Sequence, residues 1–117
     1  MKDLKIAKMN NSSESKNIFE KIYDIVKLIP KGMVTNYGTV AFFAGNARWS
    51  RIVGFALHVN PDQATIPCHR VVTKNGKLSS AFAFGGENEQ RKLLENEGVT
   101  FDSDGNVNMD LHYWNGF

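Results

Sequence analysis

The stretch Ile66-Pro67-Cys68-His69-Arg70-Val71-Val72 contains the only cysteine of the chain, and the rest of the sequence is interpreted outward from it. A thiol acts as a nucleophile in its thiolate form, so it needs a base, positive charge or a hydrogen-bond relay nearby. His69 and Arg70 follow the cysteine directly, and Pro67 fixes one backbone angle before it. A lone cysteine in a small domain is more often an inert buried side chain. These neighbours are what make Cys68 a candidate nucleophile.

Length and composition predict one soluble domain. The chain has 117 residues, 42% of them hydrophobic, which is enough for one modest core but not for two. A single cysteine excludes an internal disulfide framework, and the lysine-rich start lacks the continuous apolar stretch of a signal peptide. No stretch approaches the length of a membrane span, so no membrane partner is expected. We expect a cytoplasmic (nucleoid-associated) or nuclear monomer, with residues 1–14 as a flexible leader and residues 15–117 as the domain.

The formal net charge of +2 conceals an uneven distribution of charge. Residues 1–77 carry 12 Lys and Arg against 5 Asp and Glu, a balance of +7, whereas residues 78–117 carry 2 against 7, a balance of −5. A basic first part suits a polyanionic partner, because Lys and Arg displace counterions condensed on phosphate. Incidental surface composition produces the same imbalance, so the charge alone indicates nucleic acid only weakly.

The chain before the cysteine begins with a predicted amphipathic helix. Apolar residues recur at helical spacing over about residues 16–28, and the serines just before them offer N-cap hydroxyls. Pro30 and Gly32 are expected to end this helix, and Met33–Tyr37 is expected to be short and extended. The apolar stripe of the helix predicts a core face.

Two further helices are predicted between this extended segment and the cysteine. The first covers Tyr37–Ala44, a Gly45-Asn46 break follows, and the second covers Ala47–Val59. Two short helices joined by a glycine-containing turn match the outline of a helix-turn-helix, although this outline is common. The second helix carries Arg48 and Arg51 early, where a DNA-reading helix presents its side chains.

Downstream of the cysteine, the sequence predicts a small hairpin and a last helix. Asn75-Gly76 favours a type I′ turn, so Val71–Thr73 and Lys77–Leu78 are predicted to pair as a two-stranded wing. A helix is predicted over Glu87–Asn96, with Gly98 capping its end.

The C-terminal segment is predicted to hold two short extended pieces, at residues 99–101 and 107–111, around a turn at Asp102–Gly105. This turn lacks the length and the terminal bidentate glutamate of a calcium loop. One cysteine and three scattered histidines supply no ligand cluster for a structural metal. We therefore expect neither a metal ion nor another cofactor.

The cysteine stretch resembles a known family of DNA-repair proteins. Pro67-Cys68-His69-Arg70-Val71 matches the active-site signature of the O6-alkylguanine-DNA alkyltransferases, or methylated-DNA–protein-cysteine methyltransferases. Supporting matches stand at consistent spacing: Gly32-Met33-Val34-Thr35-Asn36-Tyr37, Ala44-Gly45-Asn46, Arg51-Ile52-Val53-Gly54, Asn60-Pro61, Gly85-Gly86 and Leu93-Leu94-Glu95-Asn96-Glu97-Gly98. They extend over roughly Ile18 to Gly98, the length of the family's C-terminal DNA-binding domain. The resemblance implies a mainly α fold with small β structure, a winged helix-turn-helix.

The resemblance also implies the catalytic roles. Cys68 takes the alkyl group in one irreversible displacement, and His69 draws off the thiol proton through water. Glu97 orients His69, and Asn60 supports the active-site segment by hydrogen bonding. Apart from the resemblance, a protonated guanine is the better leaving group, and Tyr37 is a candidate to supply that proton. Nucleophile, base and orienting group together form the general pattern for activating a weak nucleophile.

In this family the damaged guanine is rotated out of the duplex, because a pocket thiol does not reach the alkylated oxygen inside the stack. The resemblance makes Arg51 the finger that fills the vacated space and lets Tyr37 help to turn the target nucleotide. Further predicted DNA contacts are Arg48, Ser50, Gly54 and Arg70, and the predicted walls of the base pocket are Pro67, Phe84 and Gly85.

Several residues depart from the family pattern. The loop from Gly76 to Gly85 is about two residues longer, and its Ala81-Phe82-Ala83-Phe84 provides no match for the tyrosine and serine that line the usual pocket. Phe55 and Ile52 stand where small residues are usual. The tail after Gly98 is similar to that of the alkyltransferase-like proteins, which bind O6-alkylguanine without repairing it and generally replace the cysteine.

Three functions therefore remain open from the sequence. The first is a DNA-repair alkyltransferase acting on double-stranded DNA that contains O6-alkylguanine. The second is an alkyltransferase-like protein that binds and flags the lesion, with nucleotide-excision-repair proteins as its partners. The third is a winged-helix regulator or redox sensor that uses Cys68 for another purpose.

Overall fold

The computed structural model describes residues 17–79 and 82–116, and within them the chain is mainly helical, as predicted. The predicted leader, residues 1–14, lies outside the described residues. The elements are α1 Ile18–Val26, β1 Thr35–Asn36, α2 Tyr37–Ala44, a 3-10 turn Ala47–Trp49, α3 Ser50–His58, a 3-10 turn Cys68–Arg70, β2 Val71–Val72, α4 Gly86–Asn96 and α5 Met109–His112. None of the helices in these ranges is both long enough and apolar enough to cross a bilayer.

Helix α1 forms where the apolar spacing predicts it. Asn17 caps its start, because the side-chain oxygen accepts a hydrogen bond from the Glu20 amide (2.9 Å). The inward face buries Ile22, Ile25 and Val26 completely or nearly so. This face rests on α2 and α3, so α1 provides the floor on which the helix-turn-helix is built.

Helices α2 and α3 form the predicted helix-turn-helix. The Asn36 side chain caps α2 by accepting from the Thr39 amide (2.8 Å), and Gly45 ends the helix at φ +134°, a conformation that favours glycine. Helix α3 begins at Ser50, three residues later than predicted. The Asn46 side chain caps residues 47–49 as a separate 3-10 turn by accepting from the Arg48 amide (2.9 Å).

The predicted hairpin wing is wrong in its strand pairing. The turn itself forms, since the Gly76 amide donates to the Thr73 carbonyl (2.9 Å), but β2 pairs in parallel with β1, in the register Thr35 to Val71 and Asn36 to Val72. Both valines of β2 are fully buried. A strand buried on both faces suits a parallel partner inside the core better than a solvent-facing hairpin.

The C-terminal segment also differs from the prediction. Phe101 and Val107 form one antiparallel bridge, but the expected extended piece at 107–111 gives way to the short helix α5. The chain then runs beside Val34, whose carbonyl accepts from the Trp114 amide (2.7 Å). Trp114 is buried in the main core. The tail thereby covers the chain just before β1 and holds the start of α2 in place.

Candidate active site and DNA interface

Cys68 lies at the start of a 3-10 turn beneath α3, with only 3% of its surface exposed. The loop before it is closed by Asn60, whose Nδ2 donates to the Ile66 carbonyl (2.8 Å) and whose Oδ1 accepts from the Asp62 amide (2.8 Å). Burial raises the pKa of the Cys68 thiol, and a hydrogen bond from Asn60 opposes part of that rise. The resting thiol is therefore protonated and needs a base to become a nucleophile.

His69 and Glu97 form the pair that the sequence placed behind the cysteine. His69 Nε2 donates to Glu97 Oε2 at 3.0 Å, and both side chains are largely buried. Burial lowers the pKa of His69, although the hydrogen bond to Glu97 opposes this. A neutral imidazole with its Nε2 proton on a carboxylate keeps Nδ1 free of a proton. The geometry thus provides a base whose orientation is fixed by Glu97.

Arg70, a predicted DNA contact, makes an ion pair within the fold. Its Nε and Nη2 donate to the two carboxylate oxygens of Glu97 (3.0 and 2.7 Å), and its Nη1 donates to the Ile29 carbonyl (2.8 Å). Burial raises the pKa of Glu97, but the hydrogen bonds from Arg70 and His69 outweigh it and hold the net pKa below its usual range. A bidentate carboxylate partner inside the fold therefore engages the guanidinium, and the predicted DNA contact of Arg70 stays a prediction.

Gln63 lies between the thiol and the imidazole, and nothing in the sequence singled it out. Its Nε2 is 3.2 Å from His69 Nδ1, and its Oε1 accepts from Cys68 Sγ at 3.8 Å. The side chain is half-buried. Its amide therefore contacts the nucleophile and the base at once.

Gln90 of α4 is a second residue that the sequence analysis missed. It is almost completely buried, and its Nε2 donates to the carbonyls of His69 and Val71 (both 3.1 Å). Its Oε1 accepts from the Ser79 amide (2.9 Å). The signal was available, because Gln90 stands four residues before the buried Leu94 on the inward face of a helix. Gln90 joins the cysteine turn to the loop across the pocket.

A pocket of about 300 Å³ opens over the sulfur of Cys68. Its lining residues come from α2, α3, the cysteine turn, the following loop and α4: Tyr37, Gly54, Phe55, Leu57, His58, Cys68, Val71, Ser79, Phe82, Ala83 and Gln90. Of the three predicted wall residues, Pro67 is buried behind the cysteine, Phe84 packs edge-to-face on Phe82, and Gly85 precedes α4. Of the two loop phenylalanines, Phe82 lines the pocket, two residues before the predicted Phe84, and Tyr37 and Phe55 supply the other aromatic rings of the lining.

Tyr37 lines this pocket and also a shallower groove of about 680 Å³ beside it. Burial raises the pKa of Tyr37, a hydrogen bond with Ser79 opposes the rise, and the Cys68 thiolate adds to it. The phenol therefore keeps its proton at neutral pH and can donate it to a leaving group. Ser79 occupies the role of a pocket hydroxyl for which the sequence offered no match.

Four of the predicted DNA-contacting residues, Arg48, Ser50, Arg51 and Gly54, lie in α3 or in the 3-10 turn before it. Arg48 and Arg51 are exposed at and just after the 3-10 turn that precedes α3, and Ser50 lines the shallow groove. A Cβ placed on Gly54 would meet nothing within 4 Å, so the surface there is open to a close partner. Phe55, four residues after Arg51, is 67% exposed at the pocket mouth. Residues 17–79 and 82–116 bring no three His, Cys, Asp or Glu side chains together as a metal site.

The pKa shifts predict that acid destabilises the fold. Because the pKa of His69 is lower in the folded protein than its ordinary value of about 6.5, the unfolded chain binds the proton first, and the free energy of unfolding falls as pH drops below that value. One proton limits this slope to about 1.4 kcal/mol per pH unit. Urea unfolding at pH 7.5, 6.5 and 5.5 should show the decline.

His69→Gln should remove that dependence above the range in which Glu97 titrates, whereas His58→Gln, which deletes an exposed imidazole, should retain it. Equal stability of the wild-type protein at pH 7.5 and 5.5 would contradict the prediction.

Comparison with known proteins places this site in a family. Residues 17–99 match the sequence model of the 6-O-methylguanine DNA methyltransferase, DNA binding domain. This chain belongs to that family. The resemblance predicted from the sequence is therefore confirmed, and so is the fold class, a mainly helical alkyltransferase-type domain with a small sheet.

Relatives within the alkyltransferase family carry names of two kinds. The chain is 38% identical over 97 residues to a DNA base-flipping protein of Escherichia coli, covering 82% of this chain and 73% of that one. It is 35% identical over 78 residues to a methylated-DNA–protein-cysteine methyltransferase of Cricetulus griseus, covering 67% of this chain and 37% of that one. The crystal structure of Schizosaccharomyces pombe Atl1 with damaged DNA containing O6-carboxymethylguanine superimposes with a TM-score of 0.71 at 34% identity, covering 83% of this chain and 94% of that one.

Proposed function

We propose that this alkyltransferase-family protein rotates O6-alkylguanine out of duplex DNA and transfers the alkyl group irreversibly to Cys68. The observation that carries the proposal is the position of the thiol, at the base of a pocket with the His69–Glu97 pair directly behind it. A protein that binds the lesion without reacting would have no chemical need for a nucleophile, a base and an orienting carboxylate in the same site.

The transfer is a single displacement at the alkyl carbon. The thiol proton passes through water to His69, and the resulting imidazolium is stabilised by Glu97. The sulfur then forms a bond to the alkyl carbon while the bond between that carbon and guanine O6 breaks, and the guanine takes the electron pair. Tyr37, which keeps its proton at neutral pH, protonates the departing base. The thioether product has no route back, so each molecule reacts once.

The DNA face supports the extrusion step. Arg51 is exposed at the first turn of α3, next to a pocket that suits one unstacked base. Filling the gap left in the stack is a known use of inserted side chains, and the cost of unstacking is a few kcal/mol. Atl1 of Schizosaccharomyces pombe, whose structure resembles this one, binds damaged DNA containing O6-carboxymethylguanine.

A second function is favoured by the pocket wall. The loop after the cysteine contributes Phe82 rather than a tyrosine to the pocket lining, and the thiol is buried and protonated at rest, which suits binding and flagging of the lesion without efficient transfer. In that case the protein would act as an alkyltransferase-like marker for nucleotide-excision-repair proteins. For both functions we propose a monomer acting in the cytoplasm or nucleus.

Intact-mass measurement after incubation with a duplex containing O6-methylguanine tests the proposal. The wild-type protein should gain the mass of one CH2 group, because a methyl group replaces the thiol hydrogen. Cys68→Ala should show no gain while it still binds the lesion duplex.

Two other outcomes would point to the remaining functions. No mass gain with tight lesion binding would overturn transfer and leave the marker function. No preference for the lesion over unmodified guanine would overturn both and leave the regulator or redox-sensor function.

A further inference from the structure

Gln63 makes contacts that neither the predicted mechanism nor the family comparison assigns. Its carboxamide joins the nucleophile to the base, with Nε2 at 3.2 Å from His69 Nδ1 and Oε1 at 3.8 Å from Cys68 Sγ. Two groups that must exchange a proton are thus both hydrogen-bonded to a third side chain.

The direction of these two hydrogen bonds is determined by the neighbours. Glu97 accepts the Nε2 proton of His69, so Nδ1 has no proton and accepts from the Gln63 amide N–H. The Gln63 oxygen is then the acceptor for the Cys68 S–H. Both bonds stabilise neutral partners: one stabilises the protonated thiol, and the other occupies the lone pair that would take its proton.

An amide is a poor substitute for water in this position. Passing the proton from sulfur to Nδ1 through the carboxamide would convert it to the unfavourable imidic-acid tautomer. Water donates and accepts freely and returns to its starting form. While the Gln63 carboxamide is hydrogen-bonded to both Cys68 and His69, the imidazole has no direct path to the thiol proton.

The loop around Gln63 allows the side chain to move by itself. Asp62 fixes the backbone, since its carboxylate accepts from the Ala64 amide (3.0 Å) and the Thr65 hydroxyl (2.9 Å) and its carbonyl accepts from the Ile66 amide (2.9 Å). The half-buried Gln63 side chain has three rotatable bonds, so rotation within the side chain releases both contacts without breaking the loop.

We infer that Gln63 is a positioning residue that holds Cys68 and His69 in their neutral, unreactive forms in the free protein and must be displaced before His69 takes the thiol proton. The inference rests on the proposed alkyl transfer for its purpose. It gives the protein a way to protect a single-use nucleophile from other electrophiles.

The first test uses the free protein without DNA. The rate of thiol alkylation by iodoacetamide is measured from pH 6 to pH 10 for wild type, Gln63→Met and Gln63→Ala. Met matches Gln in length and keeps the space filled, so it removes the amide but retains the burial of the thiol. Both variants should shift the midpoint of the pH profile down by about half a unit to one unit, the size expected for one hydrogen bond.

The titration of the His69 ring distinguishes loss of the hydrogen bond from a packing defect. Removing the N–H that caps Nδ1 should raise the midpoint of the ring titration in NMR spectra of Gln63→Met. If the midpoint of thiol alkylation shifts in Gln63→Ala but not in Gln63→Met, the cause is a change in burial and the inference is overturned. Unchanged midpoints in both variants would overturn it as well.

The second test measures transfer from O6-methylguanine duplex at neutral pH. Gln63→Met should transfer several-fold faster than wild type, because the base reaches the thiol without displacement of the amide. Slower transfer would overturn the inference and make Gln63 a relay. If the wild-type protein transfers nothing, the proposed function fails, but the pH profile of the free protein still decides the role of Gln63.

Discussion

Replacing Glu97 with alanine is expected to lower the free energy of unfolding by about 3–5 kcal/mol, the range for removing one partner of a buried ion pair. The Glu97 carboxylate is 12% exposed and accepts from His69 Nε2 and from Arg70 Nε and Nη2. Its loss leaves a guanidinium that is 16% exposed without a counter-charge, and an imidazole N–H without its acceptor. Guanidinium chloride unfolding at pH 7.5 measures the change.

The matched control for this prediction is Glu95 of α4, the helix that ends just before Glu97. Glu95 pairs with Arg91 at 3.3 Å, but both side chains are about half exposed, so Glu95→Ala should cost less than about 0.5 kcal/mol. A loss below about 1 kcal/mol for Glu97→Ala, or equal losses for the two variants, would show that the Glu97 network does not hold the cysteine turn against α4.

Replacing Arg51 with alanine is expected to slow alkyl transfer by about a hundredfold while weakening binding to undamaged duplex by less than tenfold. The inserted side chain offsets part of the few kcal/mol that unstacking costs, and a loss of about 2–3 kcal/mol corresponds to this factor. A phosphate contact alone would weaken binding to all sequences alike. Transfer is followed by intact mass, and binding by fluorescence anisotropy at one salt concentration.

Arg48→Ala is the control. Arg48 is exposed two residues before the start of α3, and its substitution removes the same charge as Arg51→Ala. It should reduce transfer and bulk binding by the same small factor. Parallel losses in Arg51→Ala would contradict the finger role. If the protein binds lesions without transfer, Arg51→Ala should weaken binding to the lesion duplex more than binding to undamaged duplex, whereas Arg48→Ala should weaken both equally.

The helices were predictable because their signals are short-range. Apolar periodicity placed α1 and α2, and Gly45 marked the end of α2 through a backbone conformation that glycine adopts readily. The predicted start of α3 was less accurate, because the helix begins at Ser50 rather than at Ala47. Asn46 shows the reason, since its side chain caps a separate 3-10 turn, and the choice between that turn and a longer α3 depends on local hydrogen bonding.

The strand pairing was not predictable from the same kind of signal. Asn75-Gly76 predicts its turn correctly, yet the segment after the turn is held by the C-terminal part of the chain, where the Gly76 carbonyl accepts from the Val107 amide (2.9 Å). Val71 and Val72 meanwhile pair with residues 36 positions earlier. Local propensity contains no information about which distant strand is available.

By itself, the sequence determined the family and the candidate nucleophile with its neighbouring histidine, because those residues are adjacent in the chain or recur at characteristic spacing. Tertiary structure alone decided which partner each polar group takes. It placed Arg70 on Glu97, 27 residues away, and it placed the Gln63 amide between thiol and imidazole. The physical reason is that hydrogen bonds and ion pairs form between groups that the chain path brings within about 3 Å, and sequence distance does not specify that path.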